Sequence, residues 1–111
     1  MSSIKTPLVR YPPLVLLVGL RDDLARICTN AIAPLPIMRA ASASTAIERL
    51  TIVRPLMVVA SDELKEEDRK FLAERSADVV AEMVTVSLTE DHVELTARLK
   101  RAARAAESRR G

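Results

Sequence analysis

Few residues in this chain are of a kind that does chemistry, and their spacing is informative. Asp22 and Asp23 stand directly behind an apolar run at 14–20, LVLLVGL, with only Arg21 between. Ser61 and Asp62 stand directly behind a second run, LMVVA at 56–60. The first run is fenced by Pro12-Pro13 and by charge, and reads as a strand buried on both faces. In a parallel α/β sheet, ligands gather at the carboxyl ends of such strands. Two adjacent carboxylates there could hold Mg²⁺, which takes oxygen ligands. They would equally suit the first turn of a helix, whose positive end favours acids. The pair sits late for a strand-end site, so we expect the helix role. Asp62 faces the same choice and is a good N-cap. Ser87 and Thr89 could contact an anion. Ser87 with Glu90 also has the spacing of a capping box, and Thr89 is a competing cap.

The remaining reactive residues are too few for most sites. Cys28 is the only cysteine, which excludes an intrachain disulfide and a cysteine zinc cluster. It falls on the apolar stripe of its helix and is expected in the core. His92 is the only histidine, so paired-histidine metal sites are excluded. Gly19 alone does not make a phosphate cradle. Tyr11 and Phe71 are the only aromatic residues, which disfavours stacking on bases or sugars. The net charge of +2 implies no nucleic-acid partner by itself.

These residues need elements to hold them. Residues 1–13 are polar and proline-broken, and are expected to form a flexible arm. Helix-spaced apolar residues Leu20, Leu24, Ile27, Cys28 and Ala31 follow the first strand. Pro34 and Pro36 end that helix. A short second strand is expected at 37–41, and a second helix capped by Ser42 or Ser44, with Ala43, Ile47 and Leu50 on one face. Pro55 stops it. After the third strand, Leu64, Phe71 and Leu72 are expected to face inward from a third helix, with charged 65–70 outside. Residues 76–81 could extend that helix or begin a strand. The fourth strand is expected at 83–87. The last helix carries Glu90, Asp91 and Glu94 early and Arg98, Lys100, Arg101 and Arg104 late, which matches its dipole. Val93, Leu95, Leu99, Ala102 and Ala106 supply its apolar contacts, and a basic tail at 107–111 is expected to fray.

Strict alternation of four strands and four helices predicts one α/β domain over 14–106. It would be a three-layer α/β/α sandwich on a parallel sheet of four strands. The apolar run at 14–20 is too short to span a bilayer.

With these elements in place the chain resembles the receiver domains of bacterial response regulators. The likeness is carried by VLLVGLRDD, by Arg54-Pro55 leading into LMVVASDEL, and by VELTARLKRAARA near the end. The resemblance implies a flavodoxin-like fold with its four strands in the order 2-1-3-4, and a site of acidic residues holding Mg²⁺ beside a phosphoacceptor Asp. Matched in place, the acidic-pair positions fall on Gly19 and Leu20, and the phosphoacceptor position falls on Ser61. LTEDH stands where a Lys-Pro pair is expected. The chain is also short by about one strand–helix unit.

The resemblance and its departures together imply a non-catalytic, receiver-like signalling module in the cytoplasm. It would act through protein–protein interaction, without a cofactor. Its partner would be another signalling protein or a second copy, met at Val93, Arg98, Arg101 and Arg104 of the last helix. Neither a membrane span nor a nucleic-acid partner is expected. One alternative keeps phosphoryl acceptance, with Asp62 as acceptor and Mg²⁺ at Asp22 and Asp23. Another is a small nucleotide-binding domain.

Overall fold

The computed structural model describes residues 12–110, and the N-terminal arm expected at 1–13 lies almost wholly outside them. Four strands and four helices alternate: β1 (Val15–Val18), α1 (Asp22–Ile32), β2 (Ile37–Ala40), α2 (Ala43–Val53), β3 (Met57–Ser61), α3 (Glu66–Asp78), β4 (Glu82–Val86) and α4 (His92–Arg110). The sheet is parallel throughout and ordered β2-β1-β3-β4, as expected. The step from β1 to β2 runs one way across the sheet. The steps from β2 to β3 and from β3 to β4 run the other way. Each crossover is right-handed, so opposite directions put their helices on opposite faces. α1 lies on one face, joined by α4, and α2 and α3 lie on the other.

Alternation along each strand then divides the core. Val15 and Leu17 of β1 join Met57, Val59, Val84 and Val86 beneath α1 and α4, with Cys28, Leu95 and Leu99 from those helices. Leu16 and Val18 join Val58 and Ala60 beneath α2 and α3, with Leu50 and Leu72. β1 and β3 are thus buried on both faces, which is why their sequences are apolar without alternation.

Helix ends depart from expectation in three places. α1 starts at the acidic pair as expected, although its N-cap, Arg21, supplies no side-chain cap bond. Ser42 does cap α2, accepting from the Thr45 N–H at 3.3 Å. Asp62 does not cap α3. A turn intervenes and the N-cap is Lys65, with no side-chain bond. α4 is not capped by Ser87 or Thr89 either. It begins at His92, and Asp91 accepts from the Glu94 N–H at 3.2 Å. Its helix also continues to Arg110, past the expected fraying at 107.

Two inward expectations are corrected. Phe71 is exposed, its ring under the Arg75 guanidinium at 5.1 Å, while Leu72 is fully buried. Adjacent helical residues point about 100° apart, and the inward face of α3 falls on Leu72 and Ser76 rather than on Phe71. Val93 is 77 % exposed and packs in no core, whereas Ala102 packs partly buried against the core as expected, with Ala103 buried beside it. The ambiguous stretch at 76–81 is helical to Asp78 and then turns, with Val80 left-handed at φ 58°. β4 therefore starts at Glu82, one residue before the expected strand.

Candidate functional site

The carboxyl ends of β1 and β3 lie side by side, because Val18 is in register with Ala60. The loops that leave them carry the residues singled out above. Gly19 ends β1 at φ +67°, where a Cβ would sit 2.9 Å from the Leu64 side chain. The turn favours glycine for its conformation, while the close approach is to the flexible end of Leu64, which can give. Position 19 is consequently a tight, side-chain-free corner where the resemblance places an acidic group.

Ser61 closes β3. It is buried, and its hydroxyl accepts from the Glu63 N–H at 3.0 Å, a local turn of the kind serine favours. Asp62 follows it, exposed, with its backbone N–H donating to Val86 O of β4 at 2.9 Å. Glu63 turns back over the strand ends and meets Arg21. The Arg21 Nε and Nη2 donate to the two Glu63 carboxylate oxygens, each at 3.2 Å. This two-point pairing fixes the geometry of both loops more than a single contact would. The Arg21 pKa is raised, first by the hydrogen bond to Glu63 and then by the carboxylate's charge.

The acidic pair does not converge on this corner. Asp22 is held by Arg39 of β2, Nη1 to Oδ1 at 2.9 Å, and the same guanidinium donates through Nη2 to Leu20 O at 2.7 Å. Asp23 accepts from the Leu24 N–H at 2.8 Å, so it serves the first turn of α1. Among the described residues no three His, Cys, Asp or Glu side chains approach closely enough to hold one metal ion. Of the nearby carboxylates, Asp22 is paired with Arg39, Asp23 serves the helix start and Glu63 is paired with Arg21.

Ser87 and Thr89 lie in the β4–α4 loop and bond to each other, Oγ to Oγ1 at 2.9 Å, with the Thr89 N–H on Ser87 Oγ at 3.2 Å. Glu90 reaches back to the Ser87 N–H at 3.2 Å, so one half of the expected capping box forms without the helix starting there. The four interface residues expected on α4 separate into two groups. Arg98 is half-buried and committed within the chain, to Glu90 and to Thr85 O at 3.1 Å. Val93, Arg101 and Arg104 are exposed. Sequence reasoning missed the pairings of Arg21 with Glu63 and of Arg39 with Asp22, whose partners lie far along the chain. Their charge was visible, but nothing local marks such a pairing.

Among the described residues, no helix is long and apolar enough to cross a membrane. No protein-family model matches the chain, and no curated protein matches it in sequence. Solved structures do. A crystal structure of the signal receiver domain of a protein described as a Luxo repressor, from Vibrio parahaemolyticus, superposes with a TM-score of 0.62 at 15% identity, covering 88% of this chain and 95% of that one. A fusion carrying the yeast Spc42 trimeric coiled coil, amino acids 181–211, matches with a TM-score of 0.55 at 15% identity, covering 86% of this chain and 82% of that one. At this identity the likeness is one of fold. The chain has the α/β architecture of a signal receiver domain, on a four-stranded sheet.

Proposed function

We propose that this chain is a receiver-like signalling module that works by protein recognition, without phosphoryl transfer and without a resident metal ion. The observation that carries this reading is the Ser61 hydroxyl. At the position the resemblance assigns to a phosphoacceptor, it is 2 % exposed and bonded to the Glu63 N–H of its own loop. Phosphoryl transfer to a carboxylate needs a cation to offset the meeting of negative groups. Here Arg21 is paired with Glu63 instead, and Asp22 with Arg39. The exposed face of α4, with Val93, Arg101 and Arg104, is the surface offered to a partner signalling protein in the cytoplasm.

The test is exposure of the protein to Mg²⁺ and beryllofluoride, read by backbone amide shifts. We expect no change at Asp22, Ser61 or Asp62. A beryllofluoride-dependent change that disappears in Asp62→Ala would sink the reading and restore Asp62 as acceptor.

A further inference from the structure

The two edges of the sheet are unlike. β2 is preceded by Pro36 and carries Arg39, whose guanidinium folds over Leu20 O and Asp22. Proline and long cations are the features that keep an edge from pairing. β4, with the sequence EMVTV, carries no proline or cation of its own, and the cations that reach it come from α4: Arg98 to Thr85 O and Arg109 to Glu82.

The ladder shows which groups of β4 are already used. In a parallel pair, alternate residues turn both backbone groups toward the same neighbour. The Glu82 N–H donates to Leu56 O at 3.2 Å, and Val86 O accepts from the Asp62 N–H at 2.9 Å. Glu82, Val84 and Val86 therefore face β3, and Met83 and Thr85 face outward. Beyond them the outward positions are taken. The Ala81 N–H is bonded to Ser76 O at 2.9 Å, and the Ser87 N–H to Glu90 Oε2 at 3.2 Å. Thr85 O accepts from Arg98, which leaves one lone pair open. The outer edge thus presents both backbone groups of Met83 and both of Thr85, bracketed at each end.

We infer that this short edge pairs with the same edge of a second copy of the chain. A two-fold axis perpendicular to the sheet makes the two strands antiparallel. With the axis at Val84, Met83 lies opposite the partner's Thr85 and Thr85 opposite the partner's Met83. Each such pair exchanges N–H and C=O in both directions, so the exposed groups are self-complementary. Glu82 faces the partner's Val86, so no like charges meet across the axis. Val84 faces the partner's Val84, and β-branched residues pack well at such a place. The bracketing by Ser76, Glu90 and Arg98 limits the contact to these residues. The buried area falls well below the ~1,200 Å² of a stable interface, so the dimer is weak and concentration-dependent. This inference takes its purpose, but not its geometry, from the recognition reading above.

The experiment is hydrogen exchange at single amides, with sedimentation velocity, over a concentration series of the full chain. Exchange at Met83 and Thr85 should slow by about tenfold as the dimer forms, together with the rise in mass. Thr85→Lys, which puts a cation on the edge, and Thr85→Pro, which removes its N–H, should both abolish the rise. Monomeric mass throughout, with both amides unprotected, overturns the inference. So does protection at these amides without a change in mass, since another part of the chain would then cover the edge. A beryllofluoride response would overturn the recognition reading and leave the edge result standing, so the two failures are distinguishable.

Discussion

Arg21 and Glu63 are 42 residues apart in the chain and pair through two hydrogen bonds, tying the loop after β1 to the loop after β3. Both side chains are more than half exposed, at 65% and 55%. An exposed pair contributes little to stability and is weakened by salt. Its importance is positional, since it joins the two loops that the resemblance would join through a metal ion. Arg21→Ala and Glu63→Gln should each lower the urea midpoint slightly at low salt, and the difference should fade at high salt. The double variant should lose less than the sum of the two. Strict additivity would show that the pair does not form in solution.

Val80 sits in a left-handed conformation at φ 58° and is 68 % exposed. A β-branched residue there costs roughly 1–2 kcal/mol, and glycine is the usual occupant of a position that ends a helix this way. Its side chain buries little, so little packing is lost on removing it. Val80→Gly should stabilise the protein by about 1 kcal/mol, read from urea unfolding. A loss of stability would mean that the Val80 side chain makes a contact worth more than the strain.

Ser76 is fully buried in α3, and its hydroxyl has no hydrogen-bond partner among the described residues. A buried hydroxyl without a partner costs free energy, and alanine removes the group with almost no change of shape. Ser76→Ala should raise stability by about 1 kcal/mol, and it also favours the helix. A loss on thermal unfolding would show that the hydroxyl is bonded in solution.

Cys28 is buried on the inner face of α1, and burial pushes its thiol from an ordinary value of 9.0 up to about 11, with Glu90 adding to the effect and Arg98 opposing it. The folded state therefore holds the proton longer than the unfolded state. The resulting stabilisation is complete below pH 9.0 and is lost as pH rises toward about 11. Thermal unfolding of the wild type should weaken over that window, and the Cys28→Ala profile should be flatter there. A native thiol that reacts at neutral pH as fast as a free one would contradict its burial.

The order of elements was legible in the sequence for a physical reason, and the strand order came from the resemblance to receiver domains. A strand buried on both faces must be apolar without interruption, and β1 and β3 are the two longest such runs. Prolines and acidic first turns mark where helices stop and start. Right-handed crossovers then leave few arrangements open. Local rules failed where two neighbours competed for one role. Of Phe71 and Leu72 only Leu72 faces inward, and Asp91 rather than Ser87 took the cap of α4. In such cases packing and chain direction decide, and neither is encoded in a short window.

The candidate site divides in the same way. The sequence by itself placed Gly19 and Ser61 where the resemblance expects carboxylates, because strand ends follow from the apolar runs. Only the tertiary structure decided what the charges beside them do. Arg39 reaches Asp22 across 17 positions, and Arg21 reaches Glu63 across 42. Such pairings depend on which strands become neighbours, since side chains from β1, β2 and β3 meet only after the sheet has formed. The same holds for the outer edge of β4, whose open groups are set by the register with β3 and by where Arg98 and Glu90 fold back.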